Sequence, residues 1–170
     1  HHAPFSTHVE LLRAKVETPG AEDVALVVVT TLERDVQPLV RYVLGDLVQV
    51  APGNGRFTSV APIASVEGSI DDAIVRPDGA IVTPGAIDRA VGPEVRAYQV
   101  VQSDPTTVEL EVVGGSPSRV SEAIAPLLSG MTITARSSTA IGAEPNGKYR
   151  TSRRKLPLSL SAAFDACEGV

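Results

Sequence analysis

Three short stretches of this 170-residue chain carry side chains that could act on a ligand. The first is PLVRYVLGDLVQ (38–49), where Gly45-Asp46 interrupts a run of β-branched and apolar residues. Gly-Asp supplies the backbone geometry of a tight hairpin, and such a turn also holds one carboxylate rigidly, so a hairpin tip and a ligand contact are both open readings of Asp46. The second is VEGSIDDAIV (66–75), which holds Asp71-Asp72. Neighbouring residues of a strand point to opposite faces, so these two carboxylates do not read as a shared metal site. The third is EPNGKYR (144–150) with the basic residues Arg150, Arg153, Arg154 and Lys155 close behind. Lys148 and those arginines suit an anionic ligand; a turn followed by a solvated basic face is the alternative.

Other chemistries are poorly supplied. His8 is the one histidine beyond His1-His2, and no nucleophile elbow, Walker-type phosphate loop or paired-histidine zinc motif occurs. A Ser-His-Asp triad is therefore not expected. Cys167 is the single cysteine, which excludes an internal disulfide framework and a cysteine zinc site and points to a reducing compartment. The net charge is −5 and there are three Tyr, three Phe and no Trp, so neither a basic field nor a base-stacking platform favours nucleic acid. No apolar stretch is long enough to span a membrane and the opening residues lack a signal-peptide pattern, so the expected location is cytoplasmic.

These stretches must be positioned by a core of Val, Ile, Leu and Ala, since 43% of residues are apolar and few are aromatic. VALVVVTTL (24–32) reads as a strand buried on both faces. LVRYVL (39–44) and LVQVA (47–51) flank Gly45-Asp46 as its two expected strands, and Asn54-Gly55 marks a further turn. Residues 1–68 thus read as a small all-β piece. From residue 69 strands and helices alternate: a short strand in 70–76, a helix over 84–92 opened by Pro84 and closed by Gly92, strands over 97–104 and 107–115, a helix over 116–130 capped by Ser116, and a strand over 131–138. The fold class is α+β, a small β piece followed by a ferredoxin-like β-α-β-β-α-β unit with an antiparallel sheet.

The order of these stretches resembles the C-terminal portion of the adenylate-forming enzymes, the acyl-CoA ligase superfamily, and most closely its phenylacetate-CoA ligase-like branch. TTLERDVQPLVRYVLGDL (30–47) is similar to the family's strand-turn segment, VEGSIDDAIV to its hinge segment and EPNGKYR to its terminal lysine loop. The resemblance implies residues 1–68 as the last β segment of a large N-terminal domain, and 69–170 as a mobile lid domain. It implies that Asp46 holds the ribose of ATP, that Asp71 is the hinge residue, and that Lys148 offsets negative charge as a carboxylate attacks the α-phosphate. Arg150 and Arg153 would face the phosphates. Implied with them are ATP, Mg2+ held mainly by the absent large domain, a carboxylic acid substrate, and coenzyme A or a carrier-protein thiol as acceptor. The partner is the rest of the ligase polypeptide, without which this chain should not activate an acid. Val43-Leu44, Ser69 and the loop RPDGAIVTP (76–84) depart from the family's pattern, and they support the alternative of a free-standing, non-catalytic binding or regulatory module.

Overall fold

The β-branched run near residue 24 becomes the centre of the first sheet. The computed structural model describes residues 7–31, 38–51, 63–145 and 147–165. Strands β1 (Thr7–Arg13), β2 (Val24–Thr31), β3 (Tyr42–Val50) and β4 (Ile63–Ser69) pair antiparallel in that order. In β2, Val24 and Leu26 enter one apolar cluster while Ala25, Val27 and Val29 enter another on the opposite face. Burial on both faces explains the unbroken apolar run.

Gly45-Asp46 is not a hairpin tip. Strand β3 runs through both residues, and its register against β2 passes from Leu26↔Leu47 to Val28↔Val43. Val27 alone therefore faces residues 44–46, which form a β-bulge with Gly45 at φ +87°. A hairpin tip and a bulge both need a residue in the left-handed region, so local sequence does not separate them. The long ladder offered by β2 decides, because it pairs with the chain on both sides of the glycine. The expected Asn54-Gly55 turn lies outside the described residues.

The second half is built around helices α1 (Pro84–Val91) and α2 (Pro117–Ile124). Each begins at a hydroxyl cap: Thr83 Oγ1 accepts from the Ala86 N–H at 3.1 Å, and Ser116 Oγ accepts from the Arg119 N–H at 3.5 Å. Helix α2 stops well short of residue 130. Pro126 has no N–H to donate to the preceding turn, so the regular ladder ends and 125–130 form turns, although Ala125 itself keeps helical torsions (φ −54°, ψ −40°).

Strands and helices alternate from residue 69, but the expected β-α-β-β-α-β order is not reproduced and the sheet is mixed rather than antiparallel. Strands β7 (Ala97–Asp104) and β8 (Thr107–Val113) pair antiparallel, but β9 (Thr132–Ser137) joins β8 in parallel. The chain crosses over through α2 and returns in its original direction, which places β9 beside β8. The segment expected as the unit's first strand contributes only β5 (Ile74–Val75), paired with β6 (Ile81–Val82). The edge beside β7 is taken in parallel by β10 (Ser152–Arg154), giving the order β10-β7-β8-β9. A short helix α3 (Leu160–Ala163) follows.

Besides the Ala25-Val27-Val29 cluster, this packing makes two further cores. Ile87 of α1 and Val120 and Ile124 of α2 cover Val100, Leu110 and Val112 of the mixed sheet. The other core joins Val24, Leu26 and Leu47 of the first sheet to Ile70, Ala73, Ile81 and Phe164. Chain on both sides of residue 68 therefore shares one apolar cluster.

Candidate functional site

The turn at 69–73 is the meeting point of the three stretches singled out by their chemistry. Its backbone closes through the Asp72 N–H donating to Ser69 C=O at 3.1 Å, and the Asp71 N–H reaches Ser69 Oγ at 3.3 Å. The β3 bulge holds one side, since the Ile70 N–H donates to Gly45 C=O at 2.8 Å. Arg154 holds the other: its guanidinium donates to the carbonyls of Ile70 (3.2 Å), Ala73 (2.9 Å) and Leu156 (2.8 Å). Burial pulls the Arg154 pKa below its ordinary value, with Asp71 and Asp72 acting in the opposite direction.

Between the bulge, the turn and the segment after β10 lies a cleft of about 770 Å³, within the roughly 300–1,000 Å³ typical of small-molecule sites. Tyr42, Leu44 and Gly45 form one wall, Asp71 lies at the turn, and Arg154, Lys155 and Leu158 form the other wall. Asp46 adjoins this wall without lining the cleft; it is exposed and in register with Ser69. Lys148 is exposed and also does not line the cleft. Among the described residues no three His, Cys, Asp or Glu gather as a metal site, and no helix is long and apolar enough to cross a membrane.

The lysine loop is a small closed structure of its own. The Gly147 N–H donates to Glu144 C=O and the Glu144 N–H donates to Lys148 C=O, each at 2.8 Å, with Gly147 at φ +79°. Arg150 forms ion pairs with Asp72 on the turn and, at 3.1 Å, with Glu144 in the loop. Arg153 reaches the other oxygen of Glu144 at 3.0 Å. Both arginines expected to face phosphates are thus engaged by carboxylates in this arrangement. The hydrogen bond that Arg150 donates to Asp72, with the charges of Asp72 and Glu144, outweighs desolvation and holds the Arg150 pKa above its ordinary value.

Sequence reasoning missed the most buried charge near the turn. Glu67 on β4 has a side chain with 0% exposure. Its Oε1 accepts from Ser65 Oγ (2.8 Å) and Arg89 Nη1 (3.0 Å), and its Oε2 from Thr83 Oγ1 (2.8 Å) and Arg89 Nη2 (2.9 Å). Arg89 also donates to Gly20 C=O at 3.0 Å, which ties α1 to the β1–β2 loop. The one sequence signal was a glutamate alone in a strand of small residues beside Gly68. Its partner lies 22 residues away and could not be read from spacing.

A 2-hydroxyisobutyryl-CoA ligase in its postadenylation state, bound to 2-HIB-AMP, superposes with a TM-score of 0.53 at 20% identity over 86% of this chain. The chain has the fold of the C-terminal portion of an adenylate-forming ligase. An open conformation of the same ligase, bound to 2-HIB-AMP and CoA, gives 0.54 at 17% identity over 89% of this chain. In these two comparisons the chain spans 35% and 36% of the ligase's length. Neither the protein-family patterns nor the curated proteins contain a match.

Proposed function

We propose that this chain is the C-terminal part of an ATP-dependent carboxylate-activating ligase of the phenylacetate-CoA ligase-like branch, working in the cytoplasm. The observation that carries this reading is the cleft at the 69–73 turn, where the Gly45 bulge, Asp71 and basic C-terminal residues converge within a ligase fold. Residues 1–68 serve as the last β segment of the large domain and 69–170 as the mobile lid. The substrate carboxylate attacks the α-phosphorus of ATP, the bond to the β-phosphate oxygen breaks, and acyl-AMP and pyrophosphate form. The ammonium of Lys148 offsets the charge growing on the phosphoryl oxygens, while Asp46 accepts hydrogen bonds from both ribose hydroxyls. Asp71 is the residue about which the lid turns before coenzyme A or a carrier-protein thiol takes the acyl group. Mg2+ accompanying ATP is assigned to the large domain.

Carboxylate-dependent ATP–pyrophosphate exchange by the full-length protein tests the reading. Lys148→Ala is expected to lower exchange by about 100-fold or more, as loss of a transition-state charge partner does. Unchanged exchange in that variant would remove Lys148 from the mechanism. The neutralisation of Arg150 and Arg153 by Asp72 and Glu144 favours a second reading, a binding or regulatory module that retains the lid fold without its chemistry. Full-length protein that binds ATP yet exchanges no pyrophosphate with any carboxylic acid would select it.

A further inference from the structure

We propose that Arg150 is a positioning residue that places Lys148 by tying the lysine loop to the hinge turn. This inference rests on the ligase reading for its catalytic meaning, while its structural half can be tested without it. The loop has little apolar packing to hold it. Its residues 142–145 and 147–149 are mostly exposed, and a Cβ added at Gly142 or Gly147 would meet nothing within 4 Å. Polar ties must therefore set its position.

Those ties converge just after Lys148. The Tyr149 hydroxyl accepts from the Tyr98 N–H at 3.0 Å and donates to the Tyr98 carbonyl, which clips the chain to β7. Gln99 Nε2 donates to the Arg150 carbonyl at 3.0 Å, and the Val100 N–H donates to Thr151 C=O at 2.9 Å. These bonds hold the outgoing chain. The loop is held from within by Glu144, and Glu144 is held by Arg150 and Arg153.

Arg150 alone of these two arginines also grips the turn. One guanidinium edge meets Asp72 and Nε meets Glu144, so a single planar group fixes the spacing between turn and loop. Asp72 belongs to the same turn as Asp71, closed by the Asp72–Ser69 bond. A change in the turn's torsions therefore moves Asp72, then Arg150, then Glu144 and the lysine beside it. The turn's shape thereby bears on where Lys148 stands, which couples catalytic competence to lid orientation.

The test has two independent readouts on the full-length protein, using Arg150→Gln, Arg150→Lys, Asp72→Asn and the Asp72→Asn/Arg150→Gln double variant. By hydrogen exchange, amides of 144 and 147–149 are expected to exchange faster in Arg150→Gln and Asp72→Asn, with Arg150→Lys between them and wild type. Pyrophosphate exchange is expected to lose about 10- to 100-fold in kcat with the KM for ATP changed less than about threefold, and the double variant is expected to be no worse than the poorer single. Unchanged amide exchange overturns the inference. A raised KM for ATP at constant kcat also overturns it, because that marks a phosphate contact, as does strict additivity of Asp72→Asn and Arg150→Gln. Wild-type protein without exchange activity would reject the ligase reading, and the amide measurement would then decide the coupling by itself.

Discussion

Removing Arg89 exposes how a fully buried carboxylate is tolerated between the first sheet and α1. In Arg89→Leu, Glu67 loses two charged hydrogen bonds and its countercharge, and Gly20 C=O loses a donor. The Ser65 and Thr83 hydroxyls remain. Breaking a buried ion pair from one side costs about 3–5 kcal/mol. Arg89 is itself 51% exposed, so water can enter where the guanidinium was, and the expected loss is about 2–3 kcal/mol. Urea unfolding at pH 7 measures it, as a lower midpoint with unchanged slope.

The pH dependence makes this prediction specific to charge. In the wild type, desolvation raises the Glu67 pKa, but hydrogen bonds from Arg89, Ser65 and Thr83 outweigh it and hold the carboxyl below the ordinary glutamate value. A depressed folded pKa stabilises above the unfolded pKa, and that contribution is lost as pH falls through the folded value. Without Arg89, desolvation dominates and the folded pKa rises above the ordinary one. The variant's penalty is then greatest at neutral pH and eases as acid protonates Glu67. The stability gap between wild type and Arg89→Leu should narrow as pH falls from neutral through the ordinary glutamate range, and adding Glu67→Gln should recover much of the loss at pH 7. A gap under about 1 kcal/mol at pH 7, or one constant with pH, would refute the reasoning.

Other perturbations probe the same scaffold. Gly68→Ala should destabilise by more than about 1 kcal/mol, because Gly68 lies at φ +111° and a Cβ there would come within 2.7 Å of Pro84; a thermal midpoint equal to wild type would contradict this close packing. Gln102→Leu should cost about 2–3 kcal/mol in chemical unfolding, since the buried amide accepts from the Val75 N–H at 3.0 Å and donates to its carbonyl at 2.7 Å, and leucine leaves both groups unpaired. Gly45→Ala meets no tight contact, its nearest neighbour being Ile70 Cγ2 at 3.8 Å, so left-handed strain alone should lower stability by about 1 kcal/mol. A midpoint unchanged within error would argue against the bulge.

Local pattern determined the elements that answer to local physics. The hydroxyl caps at Thr83 and Ser116, with proline immediately after each, set the starts of α1 and α2 wherever those helices lie. Continuous burial of VALVVV (24–29) was legible because a strand covered on both faces has no polar positions to show. The order of Gly45-Asp46, Asp71-Asp72 and Lys148 pointed to the C-terminal portion of an adenylate-forming ligase, and the fold agrees with it. What the sequence left open were contacts between residues far apart along the chain. Whether Gly45 turns a hairpin or a bulge depends on β2, and whether β9 pairs parallel depends on where α2 returns it. Arg150 reaches Asp72 across 78 positions and Arg89 reaches Glu67 across 22, pairings that loop closure and burial select and that no local spacing encodes. Only the tertiary structure could turn a run of arginines into one that pins the 69–73 turn, one that ties it to the 144–148 loop, and one that steadies Glu144.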